Sequence, residues 1–262
     1  MVTLVVKYGG NALAAGAQAD DPVIDDPVIS DCAARVRAGD RVVLVHGGGP
    51  QIDAALAARG VATKRVEGLR VTDGPTLEIT EAVLCGTVNK ALVRALISAG
   101  VPAIGISGED GGLLRASRRE ELGFVGGIPS VDPAPLEALL AAGYTPVVAP
   151  LALDLASGSA LNVNADESAG AIAGALHADA YIVVTNVARV RARPDDPATA
   201  LAHLSREEAR SYLSSGAFDG GMRPKIEGAL EALERGVRRA LVCGAGAGAI
   251  TRALGGDATT IE

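Results

Sequence analysis

Two lysines each stand beside a glycine loop. Lys7 ends the apolar run that leads into Gly9 and Gly10, and Lys225 in GGMRPK opens a helical stretch just after Gly220 and Gly221. A lone lysine is ordinarily a solvated surface group, but one at the end of a buried run is out of place as such. Two that adjoin glycine loops suit convergence on phosphate, where an ammonium offers a compact positive charge. A second cluster, Gly47-Gly48-Gly49, follows the run RVVLV and His46. Glycines at strand C-termini let backbone N–H groups approach an anion with no Cβ in the way, although the same glycines would also serve as tight turns. Arg70, in GLRVTD, carries a planar fork suited to a carboxylate. Asn162, Asn164 and Asp166 alternate in LNVNADE, which would put all three on one side of an extended segment. Asp166 could equally cap the helix that follows.

Other chemistries lack their equipment. There is no G-x-x-x-x-G-K-[ST], no H-E-x-x-H, no nucleophile elbow and no metal-ligand spacing, and His46, His177 and His203 have no partner at a recognisable interval. GAGAGA from Gly244 to Ala249 imitates a dinucleotide fingerprint, but a complete βαβ unit needs roughly 30 residues, so this stretch reads as the turn that starts a helix. Cations, amides and glycines remain, which is equipment for phosphoryl transfer. With 24 basic and 31 acidic residues the net charge is -7, which disfavours a nucleic-acid partner. The cysteines Cys32, Cys85 and Cys243 are widely spaced and odd in number, as suits packing residues in a reducing cytosol. The first residues form neither a secretory signal nor a membrane span, so a cytoplasmic location is expected.

To position these residues the chain must build sheets layered with helices, because 48% of it is hydrophobic while only 2% is aromatic. Strands are expected at Val2 to Val6, Arg41 to Val45, Ala103 to Ile106, Pro146 to Ala149, Ala180 to Thr185, Ala240 to Cys243 and Thr259 to Ile261. Helices are expected at Asp31 to Ala38, Pro50 to Arg59, Thr76 to Ala99, Ser205 to Ser214 and Met222 to Arg235, with a short one near Ile250. A tandem DDPVI doublet from Asp20 to Ile29 reads as a duplicated loop, and Leu122 to Val131 as a hairpin or flap. A second, smaller αβ unit starts near Ala178.

The segments KYGGNA, VLVHGGGPQID, GLRVTD, VNKALV, AIGISGEDGG, LGFVG, GYTPVVAP, LNVNADESA and GGMRPK stand in the order seen in the amino acid kinase family, which the chain resembles over essentially its whole length. GLRVTD, LGFVG and NVNAD together most resemble the members that phosphorylate N-acetylglutamate in arginine biosynthesis. The resemblance implies a three-layer αβα sandwich around one open, mainly parallel sheet. Residues 1–177 would form the domain for the acyl amino acid and dimerisation, and residues 178–262 the nucleotide domain. It also implies ATP, with Mg²⁺ carried on its phosphates, and a homodimer insensitive to arginine. Lys7 and Lys225 match the family's transition-state lysines and Asp166 the carboxylate that organises them. Gly48, Gly49, Arg70, Asn162 and Asn164 match substrate-binding positions. Gly9, Gly10, Gly48, Thr185, Asn186 and Asp219 match phosphate and nucleotide positions. The chain departs where the family has Ser/Thr-Asp-Val, any residue, then Gly, since it reads Thr185-Asn186-Val187-Ala188-Arg189. The same motifs leave room for a kinase acting on carrier-bound aminoadipate or glutamate, and for a silent amino-acid sensor.

Overall fold

Along β1 (Thr3–Tyr8) successive side chains face opposite ways, and both ways are dry: Leu4 and Val6 enter one core and Val5 the other. A strand buried on both faces belongs in the middle of a parallel sheet covered by helices. The computed structural model describes residues 1–9, 26–66, 68–218 and 220–262, so Gly10, Asp219 and most of the DDPVI doublet lie outside the described residues.

The further strands are β2 (Arg41–His46), β3 (Arg65–Val66), β4 (Leu69–Arg70), β5 (Ala103–Ser107), β6 (Leu114–Arg118), β7 (Gly126–Val131) and β8 (Thr145–Ala149). They continue with β9 (Leu151–Asp154), β10 (Ala160–Asn162), β11 (Ala180–Thr185), β12 (His203–Leu204), β13 (Ala240–Gly244) and β14 (Thr259–Ile261). Eight of them form one open sheet in the order β12-β14-β13-β11-β1-β2-β8-β5. Neighbours run parallel except β13 and β14. A four-stranded sheet, β10-β9-β6-β7, and the two-stranded β3-β4 stand apart from it.

The helices are α1 (Pro27–Arg37), α2 (Gly49–Ala57), α3 (Gly74–Glu81), α4 (Asn89–Ser98), α5 (Ala134–Ala141), α6 (Ala165–Ala175), α7 (Arg206–Ser214), α8 (Arg223–Glu234) and α9 (Ala249–Leu254). One face of the large sheet packs on α1, α2, α3, α4 and α9 through Ile29, Leu56, Leu92 and Ile250; the other packs on α5, α6, α8 and the four-stranded sheet through Leu136, Ile172, Leu233 and Leu161. The chain is thus an α/β three-layer sandwich around a mainly parallel sheet.

Two expectations change. The second DDPVI copy does not extend a loop: Pro27 sits in the first turn of α1, Asp26 caps it, and Val28 and Ile29 are buried. The helix expected from Thr76 to Ala99 contains a π-helical stretch, Ala82–Val88, between α3 and α4. The hairpin or flap expected at Leu122 to Val131 is part of a hairpin, with β7 as its second arm and β6 as its first. β9 and β10 were invisible because they are short and pair locally with each other. GAGAGA does start a helix, with Gly248 in the left-handed region at φ 65° as the N-cap of α9.

Candidate functional site

Lys7 shares the Val5 face of β1 and so points toward α6. It is 3% exposed, and its Nζ lies 3.0 Å from Asp166 Oδ1. Gly9 makes room for it: a Cβ there would stand 3.1 Å from Lys7 Nζ and 3.1 Å from the Gly47 amide nitrogen. Asp166 is not on an extended segment with Asn162 and Asn164, nor is it the cap. Asn164 is the N-cap of α6, its side chain accepting from the amides of Asp166 (2.8 Å) and Glu167 (3.3 Å). That places Asp166 in the first helical turn, where the positive end of the helix favours a carboxylate. Tyr181 Oη, from buried β11, donates to the Asp166 carbonyl at 3.1 Å.

Lys225 enters from the first turn of α8. Its Nζ donates to the Gly221 carbonyl at 2.8 Å and lies 3.6 Å from Asp166 Oδ2. One carboxylate therefore faces two ammonium groups. Burial holds the Lys225 ammonium below its ordinary pKa; Asp166 opposes that shift and the Lys7 charge adds to it. A proton is thus easier to remove from Lys225 than from an ordinary lysine, unless a polyanion arrives to neutralise the pair.

Arg70, at the end of β4, is buried and already engaged. Its Nη1 donates to Asp53 Oδ1 at 2.6 Å and Thr63 Oγ1 at 3.3 Å, and its Nη2 to the Gly49 carbonyl at 3.3 Å. Arg65 reaches the second oxygen of Asp53 at 2.7 Å. Burial would raise the Asp53 pKa, but the Arg70 hydrogen bond and charge, with help from Arg65 and Thr63, hold it below the usual carboxylate range. Asn162 Nδ2 donates to Thr72 Oγ1 at 3.2 Å, and that hydroxyl donates to the Arg70 carbonyl at 2.9 Å. Gly48 lies under the π-helical stretch, where a Cβ would come within 2.7 Å of Leu84 Cδ2.

His46 is fully buried. Its Nδ1 lies 2.9 Å from the Gly47 carbonyl and its Nε2 3.2 Å from Asn89 Nδ2, so the ring donates from Nδ1 and accepts at Nε2. Burial, only partly offset by the Gly47 contact, pushes its pKa down to about 4. It is neutral at physiological pH and has no free nitrogen to act as a base.

A cleft of about 490 Å³ is lined by Gly9, Gly49, Asp53, Thr185, Asn186 and Lys225, among others. Residues from the first and last thirds of the chain thus share one space at the strand tips, where open α/β sheets hold ligands. Asn164 lines an adjoining cleft of about 1010 Å³ with Arg119 and Glu167, which pair at 3.2 Å. Asn162 lies behind Arg70 in the Thr72 network; Gly10 and Asp219 lie outside the described residues. On the remaining rim Asn186 is exposed, Thr185 Oγ1 donates to Asn186 Oδ1 at 3.2 Å, and Arg189 stands 3.5 Å from Asp257. Sequence reading missed Asp53 and Tyr181. Asp53 had a signal, an acid one turn into the helix that follows the glycine triplet; Tyr181, inside an apolar strand, had none.

Among the described residues no group of three or more His, Cys, Asp or Glu could hold a metal ion, and no helix is long and apolar enough to cross a membrane. Such a site can bind a polyanion between two ammonium groups and glycine amides, beside a guanidinium.

Comparison with known proteins agrees with that chemistry. Residues 2–244 match the model of the amino acid kinase family. The acetylglutamate kinase of Rubrobacter xylanophilus is 44% identical over 256 residues, 98% of this chain and 94% of that protein. That of Symbiobacterium thermophilum is 42% identical, with 90% of this chain and 82% of that protein covered. Among solved structures, smu.665 from Streptococcus mutans superposes with a TM-score of 0.81 at 27% identity, over 99% of this chain and 98% of that one.

Proposed function

The chain belongs to the amino acid kinase family, and on that footing we propose that it transfers the γ-phosphoryl group of ATP to the side-chain carboxylate of N-acetylglutamate, a step of arginine biosynthesis. The observation that carries the reading is the Lys7–Asp166–Lys225 arrangement at the strand tips, with Asp166 3.0 Å from one ammonium and 3.6 Å from the other.

A glutamate side chain has an unperturbed pKa of about 4.3, so the attacking carboxylate is already ionised and needs no general base. A neutral, fully engaged His46 fits that economy. The difficulty is charge: an anion must approach a polyanion and attack its terminal phosphorus in line, the new O–P bond forming as the bond to the bridging oxygen breaks and ADP leaves. Lys7 and Lys225 flank the transferring group and neutralise the charge that spreads over its oxygens. Asp166 holds both ammonium groups apart and in place, so little reorganisation is needed at the moment of transfer. Gly9, Gly10 and Gly48 offer backbone N–H groups to the phosphates.

Arg70 grips the α-carboxylate of the acyl amino acid. Asp53 and Thr63 take the Nη1 donors and Gly49 one Nη2 donor, so the internal partners aim the fork and leave Nε and one Nη2 hydrogen of its five donors for the substrate. Gly48, Gly49, Asn162 and Asn164 complete the acyl-substrate side; Thr185, Asn186 and Asp219 serve the nucleotide. Mg²⁺ carried by the nucleotide supplies further neutralisation of phosphate charge. The donor set suits an ion brought in on the phosphates, because Asp53 in the cleft and Asp166 beside Lys225 are each already paired with cations. Residues 1–177 serve as the acyl-amino-acid and dimerisation domain and residues 178–262 as the nucleotide domain of a cytoplasmic homodimer.

The test is ADP release by the purified chain with N-acetylglutamate, N-acetylaminoadipate and a carrier-bound substrate in parallel. N-acetylglutamate is expected to be preferred, and Lys7→Ala to lower kcat by roughly 10²–10³-fold. Turnover on the carrier-bound substrate alone, or a Lys7→Ala variant with near wild-type turnover, would overturn the reading.

A further inference from the structure

Helix α6 presents Asp166 and helix α8 presents Lys225, and the two helices meet through glycines. Gly170 lies four residues after Asp166 and Gly228 three after Lys225, so each glycine sits on the same helix face as the functional side chain, one turn further in. A Cβ on Gly170 would lie 2.4 Å from the Gly228 carbonyl oxygen, and a Cβ on Gly228 would lie 2.6 Å from the Asp166 carbonyl oxygen. Both obstacles are backbone, so neither can swing aside. To reach ordinary contact the crossing would have to open by on the order of 1 Å. Glycine inside a helix costs about 1 kcal/mol relative to alanine. Two facing helices accept that cost next to the very residues that must converge.

We propose that Gly170 and Gly228 are positioning residues for phosphoryl transfer: their backbone-to-backbone crossing sets the separation between Asp166 and Lys225. Tyr181 supports the same geometry, because its hydroxyl fixes the Asp166 carbonyl against which Gly228 packs. The proposal rests on the reading of Asp166 and Lys225 given above. It adds why the pair has the spacing it has.

The ammonium of Lys225 is faced by Asp166 from α6 and Lys7 from β1, with Asp53 and Arg65 lining the same cleft and Arg223 and Glu227 on its own helix. Asp166 is the partner that favours the charged form, so moving it away makes Lys225 lose its proton at lower pH. Gly174 provides a control. It lies one further turn along α6, where a Cβ would lie 2.4 Å from Arg235 Cβ, away from the pair.

The experiment compares wild type, Gly228→Ala, Gly170→Ala and Gly174→Ala for kcat, KM of both substrates, the pH profile of kcat and Tm. For Gly228→Ala and Gly170→Ala, kcat is expected to fall roughly 10- to 100-fold. The KM values should stay within about 2-fold of wild type, and the basic limb should move to lower pH. Gly174→Ala is expected to lower Tm without moving that limb. Should the first two variants not fold, Tyr181→Phe is expected to shift the limb in the same direction with a smaller loss of kcat. Activity that merely tracks Tm across all variants, with the basic limb fixed, overturns the proposal. Lys225→Ala is run alongside: if it retains turnover, the site reading falls and takes this proposal with it, whereas an inactive Lys225→Ala beside unaltered glycine variants sinks the positioning role alone.

Discussion

The region proposed for the acyl substrate, around Arg70, and the rim proposed for the nucleotide, around Thr185, are built by different means. Around Arg70, side chains from α2, β4 and the connecting segments form a closed set of hydrogen bonds that runs through Asp53, Thr63, Thr72 and Asn162. Around Thr185 the rim is looser, with Asn186 exposed and Arg189 reaching the Gly256 carbonyl and the Asp257 carboxylate at 3.5 Å each. Arg70 and Thr72 in this set are buried, and breaking it there is costly because a buried polar group loses its partner. An exposed rim tolerates change, because water replaces what is removed. The proposed substrate side is therefore tied together by hydrogen bonds and the proposed nucleotide side is looser, at the stretch Thr185 to Arg189 where the sequence departs from the pattern of the family it resembles.

The sharpest way to break that contrast is Arg70→Ala. It removes the guanidinium and leaves the Asp53 carboxylate with Arg65 as its one cation and Thr63 as a donor, so the KM for N-acetylglutamate should rise roughly 100-fold while the KM for ATP moves little. Equal effects on both substrates in steady-state kinetics would erase the distinction. His46 tests the same side through stability. Its folded-state pKa of about 4 lies below the unfolded 6.5, so the unfolded chain binds the extra proton first as pH falls. The stability associated with neutral His46 is full above pH 6.5 and is lost as pH drops toward 4, by up to about 3 kcal/mol. Denaturant titrations at pH 7.5 and 5 should show this slope, and His46→Gln should flatten it.

Smaller effects are expected on the other half. Asp31 in α1 accepts from the amides of Ile250 (2.7 Å) and Thr251 (3.0 Å) and so caps α9 from a distant part of the chain. Asp31→Ala should cost about 1–2 kcal/mol, read as a lower Tm, with KM for N-acetylglutamate unchanged. Asn186→Asp, which restores the family residue, should lower the KM for ATP by about 2- to 5-fold, a change worth less than 1 kcal/mol. If calorimetry with a non-hydrolysable ATP analogue gave a larger gain than this, the nucleotide rim would be as exacting as the substrate rim.

How much of this was legible in advance follows the same division between local and distant causes. Lys7, Lys225 and Asp166 could be found because each sits at a junction of apolar run and glycine or cap, a purely local signal. Seven of the eight strands of the large sheet were legible because they read as short apolar runs; β12, two residues long with His203 exposed, was not. What could not be read depends on partners far away in sequence. Asp166 proved to be a first-turn residue rather than a strand end because Asn164 took the capping role. The π-helical stretch at Ala82–Val88 and the hairpin arm β6 have no local signature, and neither does Tyr181, whose apolar neighbours hide the hydroxyl that meets Asp166. The crossing of Gly170 and Gly228 is invisible until two helices are superimposed on one site.

The place of β1 in the sheet also bears on how the protein is made. Its parallel neighbour β11 pairs Leu4 with Ala180, and the Thr3 amide reaches an Asp179 carboxylate 176 residues later in the chain. At about 5–20 residues per second, a ribosome leaves that flank of the strand open for on the order of 10–30 s. The chain must carry Lys7 through synthesis on an unpaired, β-branched edge before the residues that neutralise it exist. Its yield in a cell is therefore expected to depend on elongation speed and on chaperones that shield that edge, as well as on the stability of the finished fold.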